Sequence, residues 1–311
     1  MRIVLLLLTA ACGLAAAAPS SAPTSKPVLP PAPEGVTIRQ DVAYLAPDRD
    51  EKLDLYLPAH RDKSARSPAV LIIHGGGWIG GDKAAGREFN IGTTLALHGY
   101  VAASVNYWMH IKDRWPTNLN DCKNAIRFLR AHADELQIDP DRIGVIGGSA
   151  GGHLALMVAY TSDVVALEPN EPYAGVSDRV RCVVDMYGIT DLLTRRKTDE
   201  QGNPIGAPIQ TSALLAGKAG DDRATWELAS PVYHINANTP PTLILQGRAD
   251  TTVDRDQSIE LAEKLKAAHV EHELILLDGI GHTFDLQTWK RKPLPRDLRP
   301  VVLDFFDRHL K

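Results

Sequence analysis

The stretch of this sequence best suited to covalent chemistry is Gly147-Gly148-Ser149-Ala150-Gly151-Gly152-His153. Asp141 to Ile146 before it reads as a short buried strand, and Leu154 to Tyr160 after it as a helix. A serine between glycines at a strand-to-helix junction has the G-x-S-x-G form of a nucleophile elbow. Such a turn is tight, so the flanking positions must be small, and it pushes the serine Oγ out at the top of the sheet. The helix N-terminus beneath it presents backbone N–H groups and the positive end of a dipole to a developing oxyanion.

A serine hydroxyl is a poor nucleophile near neutral pH, so it needs a basic imidazole, and the imidazole needs an orienting carboxylate. For a serine on an elbow, the acid and then the histidine follow in the chain, each from a loop after a strand. With 11 histidines in the sequence, position has to choose. His282, in Asp278-Gly279-Ile280-Gly281-His282-Thr283-Phe284, follows the last expected strand, and the glycines before it let the loop swing back over Ser149. His269, His272 and His309 read as surface residues. Asp250, in Gln246-Gly247-Arg248-Ala249-Asp250, ends the preceding strand and is the expected acid. Asp254 is its rival, placed where it could instead cap the next helix. Asp285 is a weaker rival.

His74-Gly75-Gly76-Gly77-Trp78 supplies the second half of a site. Preorganised donors stabilise a transition-state oxyanion, and glycines let backbone N–H groups approach without obstruction. The N–H groups of Gly76, Gly77 and Ala150 are the expected donors, with His74 holding the loop. Trp78, Tyr107 and Trp108 follow strand ends and are candidate walls for an acyl group or a sugar ring, or else packing residues.

The elements needed to position these residues are legible. Val36 to Leu45 and Leu53 to Leu57 read as antiparallel edge strands with one wet face, joined by a turn at Pro47 to Asp50. Ala69 to Ile73 is a continuous apolar run, as in a parallel strand covered on both faces. Helix Arg87–His98, strand Tyr100–Tyr107 and helix Thr117–Glu135 follow, then the elbow. Beyond it come strand Val180–Tyr187, strand Thr242–Gln246, helix Asp256–Ala268, strand Glu273–Leu277 and helix Arg299–Leu310. Strands alternating with helices imply an α/β fold with one doubly wound, mostly parallel sheet. Thr190 to Ile235 breaks the pattern and reads as a small cap or lid over the C-terminal edge of the sheet.

The chain has 311 residues, is 44% hydrophobic and 23% charged, and carries a net charge of −4. That balance offers no basic patch for nucleic acid and is not that of a disordered acidic protein. Residues 1–18 have the n-region, apolar core and Ala-rich end of a signal peptide, so a secreted or periplasmic location is expected. Lipidation at Cys12 is the alternative, while the apolar stretch is too short for a transmembrane anchor. Residues 19–35 are a Pro/Ser/Ala-rich linker, and 36–311 form the folded domain. Cys122 and Cys182 sit among apolar neighbours and are expected to be buried thiols, with pairing left open. No C-x-x-C pair or His cluster has zinc spacing, so no structural metal is expected. Oligomeric state is not legible.

His74-Gly75-Gly76-Gly77-Trp78 with Gly80-Gly81-Asp82-Lys83, and Gly147 to Ala155, resemble the carboxylesterases of the α/β-hydrolase fold. The likeness is greatest to the bacterial branch acting on acetyl and feruloyl esters of polysaccharides, near the hormone-sensitive-lipase-type esterases. Val183 to Leu192 and Ser258 to Lys264 support it, and the likeness spans roughly Leu53 to Leu310. It departs from the family at Gln246-Gly247, where His-Gly is usual, and at Val253-Asp254, where Val-Pro is usual. Gly148 stands where the lipase-type elbow has Asp. The resemblance implies a serine esterase with Ser149, Asp250 and His282 as its triad, acting on a small-molecule or carbohydrate ester without a cofactor. A peptidase or amidase of the same fold, and an inactive hydrolase-fold binding protein, are the alternatives.

Overall fold

The computed structural model describes residues 28–61, 65–209, 212–215 and 222–311. The expected signal peptide, Cys12 and residues 19–27 of the expected linker lie outside the described residues. In chain order the elements are β1 Val36–Ala43, β2 Lys52–Pro58, β3 Ser67–Ile73, α1 Gly86–Leu97, β4 Val101–Val105, α2 Arg114–Ala131, α3 Ala133–Leu136, β5 Ile138–Gly148 and α4 Ala150–Tyr160. They continue with β6 Val183–Met186, β7 Lys197–Thr198, β8 Pro204–Ile205, α5 Arg223–Leu228, β9 Thr242–Gly247, α6 Asp256–Ala267, β10 His272–Leu277, β11 Thr288–Trp289, β12 Lys292–Pro293 and α7 Arg299–Leu310.

Eight strands form one sheet in the order β1-β2-β4-β3-β5-β6-β9-β10. The β1–β2 and β2–β4 pairs are antiparallel, and every pair from β4 to β10 is parallel. This is the doubly wound α/β-hydrolase fold. Alternate residues of β3 explain the layering. Leu71 and Ile73 pack with residues of α2, α4 and α6 on one face, while Val70 and Ile72 pack with α1 and α7 on the other. Each fully buried Leu, Ile or Val contributes about 1.5–3 kcal/mol, so the apolar run of β3 fixes it at the sheet centre.

One sequence expectation changes. A wet face is confined to β1, because β2 is buried from Leu53 to Pro58 between β1 and β4. Within the 190–235 excursion, Leu214, Leu215, Trp226 and Val232 join the main core. The excursion's β7–β8 hairpin lies against the loop after β9, where a Cβ on Gly202 would meet Arg248 O at 2.7 Å. Cys122 and Cys182 are both buried free thiols, in α2 and just before β6. Among the described residues, no helix is long and apolar enough to cross a membrane.

Candidate active site

Parallel strands all present their C-terminal ends to the same edge, so the loops after β3, β5, β9 and β10 converge there. Ser149 follows β5 with φ 59° and ψ −123°, a left-handed conformation costly for a residue with a Cβ. Its N–H is held by Met186 O at 2.9 Å, and α4 begins at the next residue. The glycines leave room for the turn: a Cβ on Gly151 would stand 2.1 Å from Ile73 O.

The three candidate triad residues meet. His282 Nε2 lies 2.9 Å from Ser149 Oγ, and His282 Nδ1 lies 2.7 Å from Asp250 Oδ2. Because the carboxylate can only accept, Nδ1 carries the proton and Nε2 is left with its lone pair toward the serine hydroxyl. Asp250 is fully buried, and its Oδ1 accepts from the N–H groups of Thr252 (2.8 Å) and Val253 (3.0 Å). Gln246, the departure from the family pattern, donates from Nε2 to Asp250 Oδ2 at 3.2 Å and accepts from Ser258 Oγ at 3.0 Å. It therefore anchors the carboxylate from the strand below.

The rivals are engaged elsewhere. Asp254 Oδ2 accepts from Arg196 N at 2.8 Å, tying the excursion to the loop, and burial raises its pKa. Asp285 accepts from the N–H groups of Gln287 and Thr288 and from Thr288 Oγ1, organising the turn into β11. From that hairpin, Trp289 Nε1 donates to His282 O at 2.8 Å and holds the histidine loop.

The His74–Trp78 loop lies directly against the elbow, since a Cβ on Gly75 would sit 3.2 Å from Ser149 Cβ. Gly76, at φ 121°, accepts at its carbonyl from Ile79 N and Gly80 N, both 3.1 Å. Only glycine fits there, because an added Cβ would meet Gly80 O at 2.1 Å. Gly76 and Gly77 line the cleft beside Ser149, and Ala150 opens α4, where an N–H has no acceptor within the helix. His74 is buried, its pKa lowered by that burial, and its Nδ1 donates to Gly75 O at 2.7 Å.

Of the three candidate aromatic walls, Trp78 alone lines the cleft, and it is 2% exposed. Tyr107 lies behind the wall: its ring stacks on His74 at 4.4 Å and its hydroxyl donates to His74 O at 3.0 Å. Trp108 is turned away, with Arg49 over its ring and Nε1 donating to Lys112 O. Tyr107 supports the loop, Trp108 packs away from it, and neither lines the cleft.

Sequence reading missed Arg87, Glu88, Tyr187 and His153. Arg87 donates from Nη1 to Tyr187 Oη at 2.7 Å and from Nε and Nη2 to Glu88 Oε1. Tyr187 Oη donates in turn to Phe284 O at 2.7 Å, so this chain connects the start of α1 to the histidine loop. A Cβ on Gly148 would lie 2.4 Å from Arg87 Nη1, so the glycine makes room for the guanidinium. His153 Nε2 faces Ala229 O at 2.8 Å and must donate there, leaving Nδ1 to accept from Trp78 Nε1 at 3.3 Å. Burial keeps this imidazole neutral, with a pKa lowered to about 4. In sequence Arg87 and Glu88 are only the start of a helix; the one available signal was Gly148.

The cleft these loops enclose has a volume of about 570 Å³ and is lined by Ser149, His282, Trp78, Ile189, Arg195 and Val253, among others. Among the described residues, no group of three or more His, Cys, Asp or Glu is arranged to hold a metal ion.

Residues 53–265 match the BD-FAE family model. The chain is 29% identical over 252 residues to the probable carboxylic ester hydrolase LipM of Mycobacterium tuberculosis, covering 79% of this chain and 56% of that protein. It spans little more than half the length of such relatives. Among solved structures it resembles a truncated carbohydrate esterase from gut microbiota, with TM-score 0.74 and 27% identity over 88% of this chain and 96% of that one. It also resembles esterase 2 of the planctomycete Thermogutta terrifontis, with TM-score 0.68 and 28% identity over 90% and 94% of the two chains.

Proposed function

The chain belongs to the BD-FAE family, and on that premise we propose that it is a serine carboxylesterase hydrolysing small acyl esters through an acyl-enzyme. The observation that carries this reading is the unbroken hydrogen-bonded series Ser149 Oγ, His282, Asp250. Ser149 Oγ attacks the ester carbonyl carbon while His282 Nε2 takes its proton. Asp250 keeps Nδ1–H in place and balances the imidazolium. The N–H groups of Gly76, Gly77 and Ala150 receive the oxyanion of the tetrahedral intermediate. As it collapses, His282 returns the proton to the departing alcohol. A water, deprotonated by the same imidazole, then attacks the acyl-enzyme and releases the acid and Ser149.

Acetyl or feruloyl esters of carbohydrates are the substrates we propose within that class. The support is the likeness to a solved carbohydrate esterase and a cleft large enough for an acyl group with part of a sugar. Export, proposed from residues 1–18, calls for a mature N-terminus near residue 19, which mass spectrometry of the exported protein would read directly.

Ser149→Ala tests the chemistry. Hydrolysis of p-nitrophenyl acetate and labelling by a fluorophosphonate probe should both be lost while the folded state persists. Retained turnover in that variant would refute the assignment. Comparing acetylated xylan, methyl ferulate and simple p-nitrophenyl esters would then define the acyl group and the alcohol.

A further inference from the structure

Two guanidinium groups line the cleft, and they differ in how they are satisfied. Arg87 is engaged on both edges, by Tyr187 and by Glu88. Arg195, carried by the excursion after β6, is not. Its backbone is pinned, with N–H donating to Asp191 O at 3.2 Å and its carbonyl accepting from Ile209 N at 2.8 Å. Among the described residues its side chain makes a single hydrogen bond, a long one of 3.3 Å from Nη2 to Thr252 O, and its Nε is buried without a partner.

A guanidinium has five N–H donors in a planar fork, and withdrawing them from water unmatched is unfavourable. Burial is the largest influence on Arg195 and lowers its pKa, against smaller opposing effects of Asp254 and Asp250. Neither carboxylate closes a hydrogen bond with it. Asp250 is committed to His282, Thr252, Val253 and Gln246, and Asp254 receives Arg196 N. Asp82, another carboxylate in the cleft wall, accepts from Ala84 N and Asn106 Nδ2. Among the described residues, Arg195 is thus a held cation with free donors in a cleft that also holds Ser149 and His282.

We infer that Arg195 receives a substrate carboxylate, so that the preferred ester carries a carboxylate in addition to the scissile bond. A carboxylate matches the guanidinium fork in charge and in two-point geometry. It could belong to the acyl part, as in a dicarboxylic acid monoester, or to the alcohol part, as in an esterified uronic or hydroxy acid. This inference rests on the esterase reading above and narrows its substrate class.

The test uses two isosteric pairs: monoethyl succinate against ethyl succinamate for the acyl side, and 4-acetoxybenzoate against 4-acetoxybenzamide for the alcohol side. Wild type should favour the charged member of one pair by about 10- to 100-fold in kcat/KM, mainly through KM, as a charge-assisted pair would give. Arg195→Gln should abolish that preference while changing the neutral ester less than about threefold, and Arg195→Lys should keep part of it. Calorimetric binding of the same pairs to Ser149→Ala should show the same preference without turnover, so failure of the esterase chemistry would be seen separately. Fluorophosphonate labelling reports whether Arg195→Gln is folded, and Arg195→Lys decides if it is not. Equal binding of both members of both pairs by wild type, or a preference that survives in Arg195→Gln, would overturn the inference.

Discussion

Asp250 and Asp254 are 0% and 1% exposed, so burial does not choose between them as partner for the histidine. Direction does. Asp250 turns Oδ2 to His282, while Asp254 turns its own to the backbone of Arg196. The two roles predict different losses. Asp250→Asn keeps the shape but disfavours the required tautomer, so kcat should fall by about 10³- to 10⁴-fold. Asp254→Asn should lower kcat by less than about tenfold, because it only loosens the hold on the excursion. Esterase assays of the two variants in parallel measure both, and a larger loss at Asp254 would reverse the assignment. Gln246 is instructive at the same scale. It departs from the family pattern, and it hydrogen-bonds both Asp250 and Ser258.

At the scale of elements, the site depends on segments that reach across the sheet edge to each other. The loop after β3 is tied to α4 by Trp78 and His153, and α4 to the excursion by His153 and Ala229 O. Trp78→Phe keeps an aromatic side chain, smaller than the indole, but removes the N–H, leaving His153 Nδ1 buried without a donor. Such an orphaned acceptor should cost about 1–3 kcal/mol of stability in denaturant unfolding. Because the same loop presents Gly76 and Gly77, kcat for p-nitrophenyl acetate should drop about tenfold with it. Full activity with lowered stability would separate this contact from the site. The contact itself was not legible in sequence, since it joins Trp78 to His153 across two intervening strands.

For the whole molecule, two buried groups make stability respond to pH in opposite senses. His153, normally near 6.5, is lowered to about 4 by burial. Between those values the unfolded chain binds a proton that the folded one refuses, so stability falls as pH falls. Burial raises Asp185, normally near 3.8, to about 7, and its Oδ2 has no partner. There the folded chain keeps a proton that the unfolded one has lost, so stability falls as pH rises from 3.8 toward 7. Each effect amounts to about 1.4 kcal/mol per pH unit inside its window, and from pH 4 to 6.5 they oppose. Asp185→Asn removes one of them. Its unfolding free energy should therefore rise with pH more steeply than wild type, by about 1 kcal/mol per pH unit. Urea unfolding at several pH values in that range checks it; parallel slopes would mean that Asp185 is ionised in the folded protein.

The sequence by itself determined the elbow, the glycine loop before it, the order of strands and helices, and the histidine after the last strand. These are local matters: apolar runs and alternation set the elements, and small residues at a strand end have few other uses. Even Asp250 was within reach, because the acid must follow a strand. Only the tertiary structure decided what surrounds the serine. Arg87 meets Tyr187 from 100 positions away, and Trp289 holds the carbonyl of His282. Tyr107 and Trp108, placed by sequence near strand ends, turn behind the wall instead. Arg195 lay in the least periodic segment of the chain, and nothing in its neighbours announced a guanidinium in the cleft with donors that no described residue accepts. Patterning tells which residues are buried and in which element, but satisfying the polar groups among them is settled only when distant segments pack.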